Sequence, residues 1–295
     1  MGSRSSRQRT RCALDCQLLT KNYLLAGNIG QTRRVPLTVD SPNPLRVAWS
    51  IFRARRATPP GPHGTAAADH TGLGPVLQAL AKGGTPALAQ VRDDLDEYLA
   101  AVVVIGPAAL SRPEALAYWL NLDNAGALNL AARAFAEGAD SILRVLGGFD
   151  SPTFDIAGER LSLDAIEHGK IRRFGDPRIH AALVCGSVSC PTLRYEPYRG
   201  DQLETQLDDQ LRRFLTGGGA RFDSESRTVY LSRVFLWYGG DFTRPHRMPT
   251  WIPVRSRTLV RFLLPWLGES PPWLVSGKAT VKFQSYDWGL RCSVG

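Results

Sequence analysis

The sequence predicts a single compact α+β domain, with several helices packed on a small mixed or antiparallel sheet. Runs with apolar residues at helical spacing alternate along the chain with short apolar stretches of strand length. No internal repeat and no linker interrupts residues 69 to 292. At 295 residues, 43% of them apolar, the chain can bury a sizeable core without metal or disulfide staples.

The globular pattern starts near Asp69. "LGPVLQALAKG" and "LAQVRDDLDEYLAAVV" both place apolar residues at helical spacing, punctuated by Gly83, Gly84 and Pro86. "SRPEALAYWLNLDNAGALNLAARAFAEG" is the clearest helix: Ser111 suits its N-cap, Pro113 and Glu114 its first turn, and Gly138 its end. "SPTFDIAGERLSLDAIEHGKIRRFG" reads as a short strand, a turn at Gly158 and a helix capped by Ser162, and the apolar run "IHAALVC" as a buried strand over 179–184. "YRGDQLETQLDDQLRRFLTGG" is a second amphipathic helix with Leu203, Leu207, Leu211 and Phe214 on one face. "RTVYLS" is a strand, "RVFLWYGGDF" a short helix or turn, and "ATVKFQSYDWGL" a closing strand.

The charge divides the chain at about residue 65. The first sixty residues hold eleven basic side chains against Asp15 and Asp40, which accounts for the whole net charge of +9; the remainder carries 25 of each sign. The basic character therefore belongs to residues 1–65, an Arg-, Ser- and Pro-rich segment without a sustained period that reads as disordered, while 66–295 is the domain. Nothing in the neutral body points to nucleic acid. A basic amphipathic element, "LRVAWSIFRARR", suits acidic lipid or nucleic acid, and a mis-called start codon is the rival account of this segment. No apolar run has signal-peptide quality or approaches the roughly 20 residues of a membrane span. The sequence as given reads as cytoplasmic, and as exported if the true start differs.

Five cysteines are too few and too unevenly spaced for a disulfide framework. Cys185 and Cys190 alone lie close together in well-patterned sequence, inside "DPRIHAALVCGSVSCP". On a strand 179–184, His180, Ala182 and Val184 share one face, with small neighbours that leave room around the imidazole. Gly186 and "GSVS" turn the chain, and Cys190 before Pro191 suits the start of a helix or turn, where free N–H groups favour thiolate. The return brings Cys190 back towards His180. This is the logic of an activated thiol: Cys190 as nucleophile and His180 as general base. Glu167 or Asn124 would orient the imidazole, and Asn121 with backbone N–H groups would hold an oxyanion.

Around that pair, Asn121 and Asn124 share a helix face and otherwise tie loops to the helix. Glu167 and His168, being adjacent, cannot both point into one pocket of a regular helix, and Glu167 is the expected inward group. Arg178 suits an anionic substrate group or an internal clamp. Trp237 and Asp241 in "LWYGGDF" suit a pocket wall, with Asp241 able to reach a histidine or arginine. Three rival readings of the cysteines stand beside this: buried small hydrophobes, a zinc site from His168, His180, Cys185 and Cys190, and a Cys185–Cys190 disulfide. The predicted activity is a cysteine-dependent hydrolase or acyl transferase acting on an amide or thioester of a small molecule or peptide, without a cofactor or metal. Its alternative is a non-catalytic binding or scaffold domain in which His180, Glu167 and the two asparagines form a satisfied polar network.

Five stretches together resemble one family, the domain of unknown function DUF547: "LAYWLNLDNAGAL", "IAGERLSLDAIEHGKIRR", "DPRIHAALVCGSVSCPTLRYEPYRGDQLETQLDD", "YLSRVFLWYGGDF" and "VKFQSYDWGL". Their order and spacing match across roughly residues 95 to 292. The family pattern has Tyr where this chain has Asp123, which puts a carboxylate where an aromatic ring packs. It also ends in Ser-Leu-Asn where this chain has Gly289-Leu290-Arg291. The resemblance implies no particular reaction.

Overall fold

A computed structural model of the chain describes residues 58–61, 63–244 and 254–295, together with Leu45, Trp49 and Phe52. The chain divides into two units, Met1–Thr38 and Val39–Gly295, and all the described residues belong to the second. Most of "LRVAWSIFRARR" lies outside them.

The organising element is the long helix, because almost every face of it is apolar. Helices α1 (Leu73–Gly83) and α2 (Arg92–Val103) pack beside α3 (Arg112–Ala136), whose residues from Ala115 to Leu128 are all buried. Ser111 stands at the N-cap of α3, though its hydroxyl makes no capping bond, and Gly138 with φ of 67° ends the helix in the left-handed conformation. Strands β1 (Phe154–Ile156) and β2 (Glu159–Leu161) form an antiparallel hairpin turned at Ala157 and Gly158, both at positive φ. The sequence reading had one strand here; the hairpin's second strand is too short to show a period.

Helix α4 (Leu163–Gly169) follows, capped by the Ser162 hydroxyl on the Ala165 N–H, and it packs on α3 at Gly126. A Cβ at Gly126 would stand 2.7 Å from Leu163 Cδ2 and 2.9 Å from Phe154 Cζ, so a larger residue there would have to displace both side chains.

The expected strand over 179–184 is corrected. Ile179–Ala182 is a single helical turn, α5, and extended backbone begins only at Leu183. Pro177 presets φ at the turn's start, and Asp176 Oδ1 accepts the Arg178 N–H. A short apolar run does not distinguish strand from buried helix by period. His180 therefore does not share a strand face with Ala182 and Val184.

Helix α6 (Leu203–Phe214) leads through a π-turn over Leu215–Gly219 into a three-stranded sheet. Strand β3 (Ala220–Asp223) pairs antiparallel with β4 (Thr228–Leu231), and β5 (Thr280–Phe283) pairs parallel with β4, which makes the sheet mixed. Between β4 and β5 lie α7 (Arg233–Thr243), α8 (Ser256–Leu263) and α9 (Pro272–Val275). Two apolar cores result, one around α3 and one between this sheet and α6 to α9. Nine helices and two small sheets among the described residues make this an α+β fold.

Candidate functional site

The segment 167–190 feeds two polar clusters. The first is assembled where α5 meets α7. His180 Nε2 lies 2.8 Å from Asp241 Oδ2, and the same carboxylate accepts two bonds from Arg172, at 2.7 Å from Nε and 2.9 Å from Nη2. Arg172 Nη1 donates to His168 Nδ1 at 3.3 Å, which assigns the proton of a neutral His168 to Nε2. Tyr238, one turn before Asp241, stacks on His180 with ring centroids 4.0 Å apart, and its hydroxyl donates to Glu167.

The expectation that only one of Glu167 and His168 turns inward is corrected. Both join the network, because their partners come from different directions. Arg172 meets His168 from the next turn of the same chain segment, and Tyr238 meets Glu167 from α7. Burial raises the Asp241 carboxyl, but His180 and Arg172 outweigh it and hold the group well below the usual carboxylate range. Burial likewise raises Glu167, and His168, His180 and Arg172 reverse the direction. Asp241, predicted for substrate contact, is thus consumed by internal partners.

The two asparagines are backbone clamps. Asn124 donates to the Ala182 carbonyl at 2.9 Å and accepts the Val184 N–H at 3.0 Å, so a side chain of α3 does for this segment what a neighbouring strand would have done. Asn121 holds Tyr198 in the same two-bond way, at 2.8 and 2.9 Å. Both amides are engaged by backbone groups, and neither bonds to His180. Arg178 is bound by Asp176, Glu204 and Asp208 and is an acid clamp, not an open anion site.

The second cluster surrounds Cys190. Its Sγ accepts the Cys185 backbone N–H at 2.9 Å and the Tyr286 hydroxyl at 3.3 Å. Ser187 Oγ donates to the Tyr286 hydroxyl at 3.0 Å, which orients that hydroxyl towards Cys190. The Cys185 thiol lies 3.3 Å from the Tyr286 hydroxyl and hydrogen-bonds to Cys190 as well. Burial raises the Cys190 thiol, yet the bonds from Cys185, Tyr286 and Ser187 prevail and lower its pKa to about 6. The Cys185 thiol moves the opposite way, well above its ordinary value, because its bond to Cys190 and its burial both favour the protonated form.

Cys190 also lines a cavity of about 480 Å³, together with Ser189, Gln210, Arg213, Gly218 and Ser232. The Gln210 amide donates to the carbonyls of Ala181 and Thr192, and its buried Oε1 has no partner among the described residues. Trp237, 42% exposed, stacks on Trp288 at 5.7 Å and leans on Tyr286 at 4.9 Å, one ring away from the thiol.

The two clusters do not form the expected Cys–His pair. Among the described residues no hydrogen bond joins Cys190 to His180, whose Nε2 is bound to Asp241. The chain diverges after Gly186: Val188 and Ser189 donate to the carbonyls of Gly289 and Asp287, which carries Cys190 to the C-terminal segment while α5 stays against α7. No helix starts at Cys190 either. It closes a turn, with its N–H on the Ser187 carbonyl at 3.1 Å, so hydrogen-bond donors replace the expected helix end as the source of thiolate stabilisation. His168 and His180 belong to one cluster and Cys185 and Cys190 to the other. Among the described residues no group of three His, Cys, Asp or Glu side chains is placed to hold a metal ion.

Residues 107–215 match the family model described as a protein of unknown function, DUF547. Through this segment the chain is similar to the DUF547 family. The DUF547 match contains Asn121, Asn124, Glu167, Arg178, His180, Cys185 and Cys190, whereas Asp241, Trp237 and Tyr286 come from outside it. Both clusters are therefore completed by chain beyond the matched DUF547 segment. No curated protein and no solved structure matches the chain. No helix among the described residues is long and apolar enough to cross a membrane.

Arg172, Tyr238 and Tyr286 are the participants that sequence reasoning missed. The first carried a usable signal, since it stands four residues after His168. Tyr286 carried none, being 96 residues from Cys190.

Proposed function

We propose that this protein is a cysteine-dependent acyl transferase or hydrolase in which Cys190 is the nucleophile. The observation that carries the reading is a sulfur supplied with hydrogen-bond donors and facing a cavity large enough for a small acyl group or peptide end. The pKa of about 6 makes it thiolate at neutral pH without a neighbouring base.

The chemistry favours a thioester over an amide. Attack by Cys190 on a thioester forms one carbon–sulfur bond and breaks another, and the displaced thiolate leaves without needing a proton. An amide nitrogen must be protonated as it leaves, and the imidazole that would do this is bound to Asp241. Arg213 supplies positive charge in the cavity for a carboxylate or an oxyanion. The alternative of a structural polar network fits His180, Glu167 and the asparagines, each of which is paired internally. The two readings therefore apply to different clusters, and the acyl chemistry rests on Cys190 alone.

The test is the pH dependence of iodoacetamide modification, with sites assigned by mass spectrometry. Cys190 is expected to react with a midpoint near about 6, far below the free-thiol value of about 8.5, and to accumulate an acyl adduct from a simple acyl thioester. Reaction only above about pH 8, or only after unfolding, would exclude Cys190 as the nucleophile.

A further inference from the structure

In that acyl chemistry Cys185 only donates hydrogen bonds to Cys190, yet its own sulfur is held against the Cys190 sulfur. Its backbone N–H lies 2.9 Å from Cys190 Sγ, the two sulfurs stand 3.3 Å each from one hydroxyl, that of Tyr286, and the thiols hydrogen-bond to each other. Both residues are partly exposed rather than sealed, and Cys190 faces the cavity, so a small oxidant reaches the sulfur without unfolding. Both are free thiols. The turn between them, closed by the Cys190 N–H on the Ser187 carbonyl and opened by Gly186 at φ 72°, presents the two residues to each other from opposite ends of one loop.

From this geometry we infer that Cys185 and Cys190 form a two-thiol redox pair, in which a hydroperoxide oxidises Cys190 and Cys185 resolves it into a reversible disulfide. The inference rests on the reading of Cys190 as an accessible thiolate. In the first step the Cys190 sulfur attacks the near oxygen of the peroxide. A sulfur–oxygen bond forms, the oxygen–oxygen bond breaks, and the departing alkoxide or hydroxide takes a proton from water. In the second step the Cys185 sulfur gives up its proton and attacks the Cys190 sulfur of the sulfenic acid. A sulfur–sulfur bond forms, and hydroxide leaves as water with that proton. The two steps remove two electrons from the pair, and two equivalents of an external thiol return them by exchange.

Two features divide the roles. The thiolate that attacks is the one carrying the donors, and the thiol held protonated is the one kept for resolution. Closing the disulfide removes the nucleophile, so the same event suspends acyl transfer until a thiol reduces the pair.

Cys185 and Cys190 both lie between Arg178 and Arg194, so a single tryptic peptide, 179–194, reports on them. The full chain is treated with hydrogen peroxide, blocked with iodoacetamide and digested, beside an untreated sample alkylated across a pH series. The expected result is a peptide about 2 Da lighter than its reduced form and closed to iodoacetamide, restored by dithiothreitol. In Cys185→Ser, Cys190 is expected to accumulate as a sulfenic acid trapped by dimedone. A Cys190 that alkylates at low pH in the untreated sample, but after peroxide stays free or pairs with another cysteine, overturns the redox pair and leaves the acyl reading standing. A Cys190 that fails to alkylate in the folded untreated protein overturns both.

Discussion

Asp241 and Asp123 are two buried carboxylates with opposite consequences. Asp241 has a buried arginine and a histidine as partners, and its pKa is depressed, so its contribution to stability is present above the unfolded value of about 3.9 and is lost as pH falls through the folded one. Asp241→Asn leaves Arg172 buried without its counter-charge and is expected to cost about 3–5 kcal/mol in urea denaturation at pH 7. The deficit should shrink as pH falls below about 4 towards the folded value, because the unfolded chain then takes up a proton that the folded Asp241 does not. Asp123, 4% exposed, has an Oδ1 without a partner among the described residues, and burial, with the charges of Glu167 and Asp164, pushes its carboxyl well above the ordinary value. Its stability contribution is complete below about pH 4 and is lost as pH rises towards the folded value. Asp123→Asn is therefore expected to be more stable than wild type by about 1–3 kcal/mol at pH 8, with a smaller gap at pH 5. The sequence marked Asp123 as a carboxylate in an aromatic's place, and the cost follows from that placement. It did not show which carboxylate would meet Arg172, since 69 residues separate the partners.

Elements with a long apolar period were legible, and elements set by one or two residues were not. Helices α1, α2, α3 and α6 follow directly from apolar spacing, and α4 from its Ser162 cap. Helix α5 was misread because four residues hold too little period, so the Asp176–Pro177 start and the Asn124 clamp decided it. The β1–β2 hairpin shows the same dependence on single residues. Its turn places Ala157 at φ 50°, a conformation that costs a Cβ-bearing residue about 1 kcal/mol and that asparagine tolerates. Ala157→Asn is expected to raise the urea midpoint with an unchanged m-value, by a stability gain of about 1 kcal/mol. A loss of stability would mean that the turn is not strained there.

For the whole molecule, the domain boundary suggested by charge at residue 65 cuts through structure. The Lys170 amine, buried beside α3, donates to the Thr58 carbonyl and to Glu159, while the Thr58 N–H bonds the same carboxylate at 2.9 Å. Ala66 bridges Leu110, and a Cβ at Gly64 would collide with the Ala109 carbonyl. A chain starting at residue 58 is expected to unfold at the same urea concentration as one starting at residue 52. A chain starting at residue 66 should lose about 1–3 kcal/mol, because Lys170 keeps its burial and loses an acceptor. By itself the sequence determined the α+β class, the buried helix α3, the family resemblance and the choice of Cys190 and His180 as the residues to watch, because apolar period and residue type are local properties. Only the tertiary structure decided that His180 goes to Asp241, 61 residues away, and Cys190 to Tyr286, 96 residues away. A hydrogen bond depends on placement within a few tenths of an ångström, and that placement is set by how α7 and the C-terminal segment pack, which neither period nor composition records.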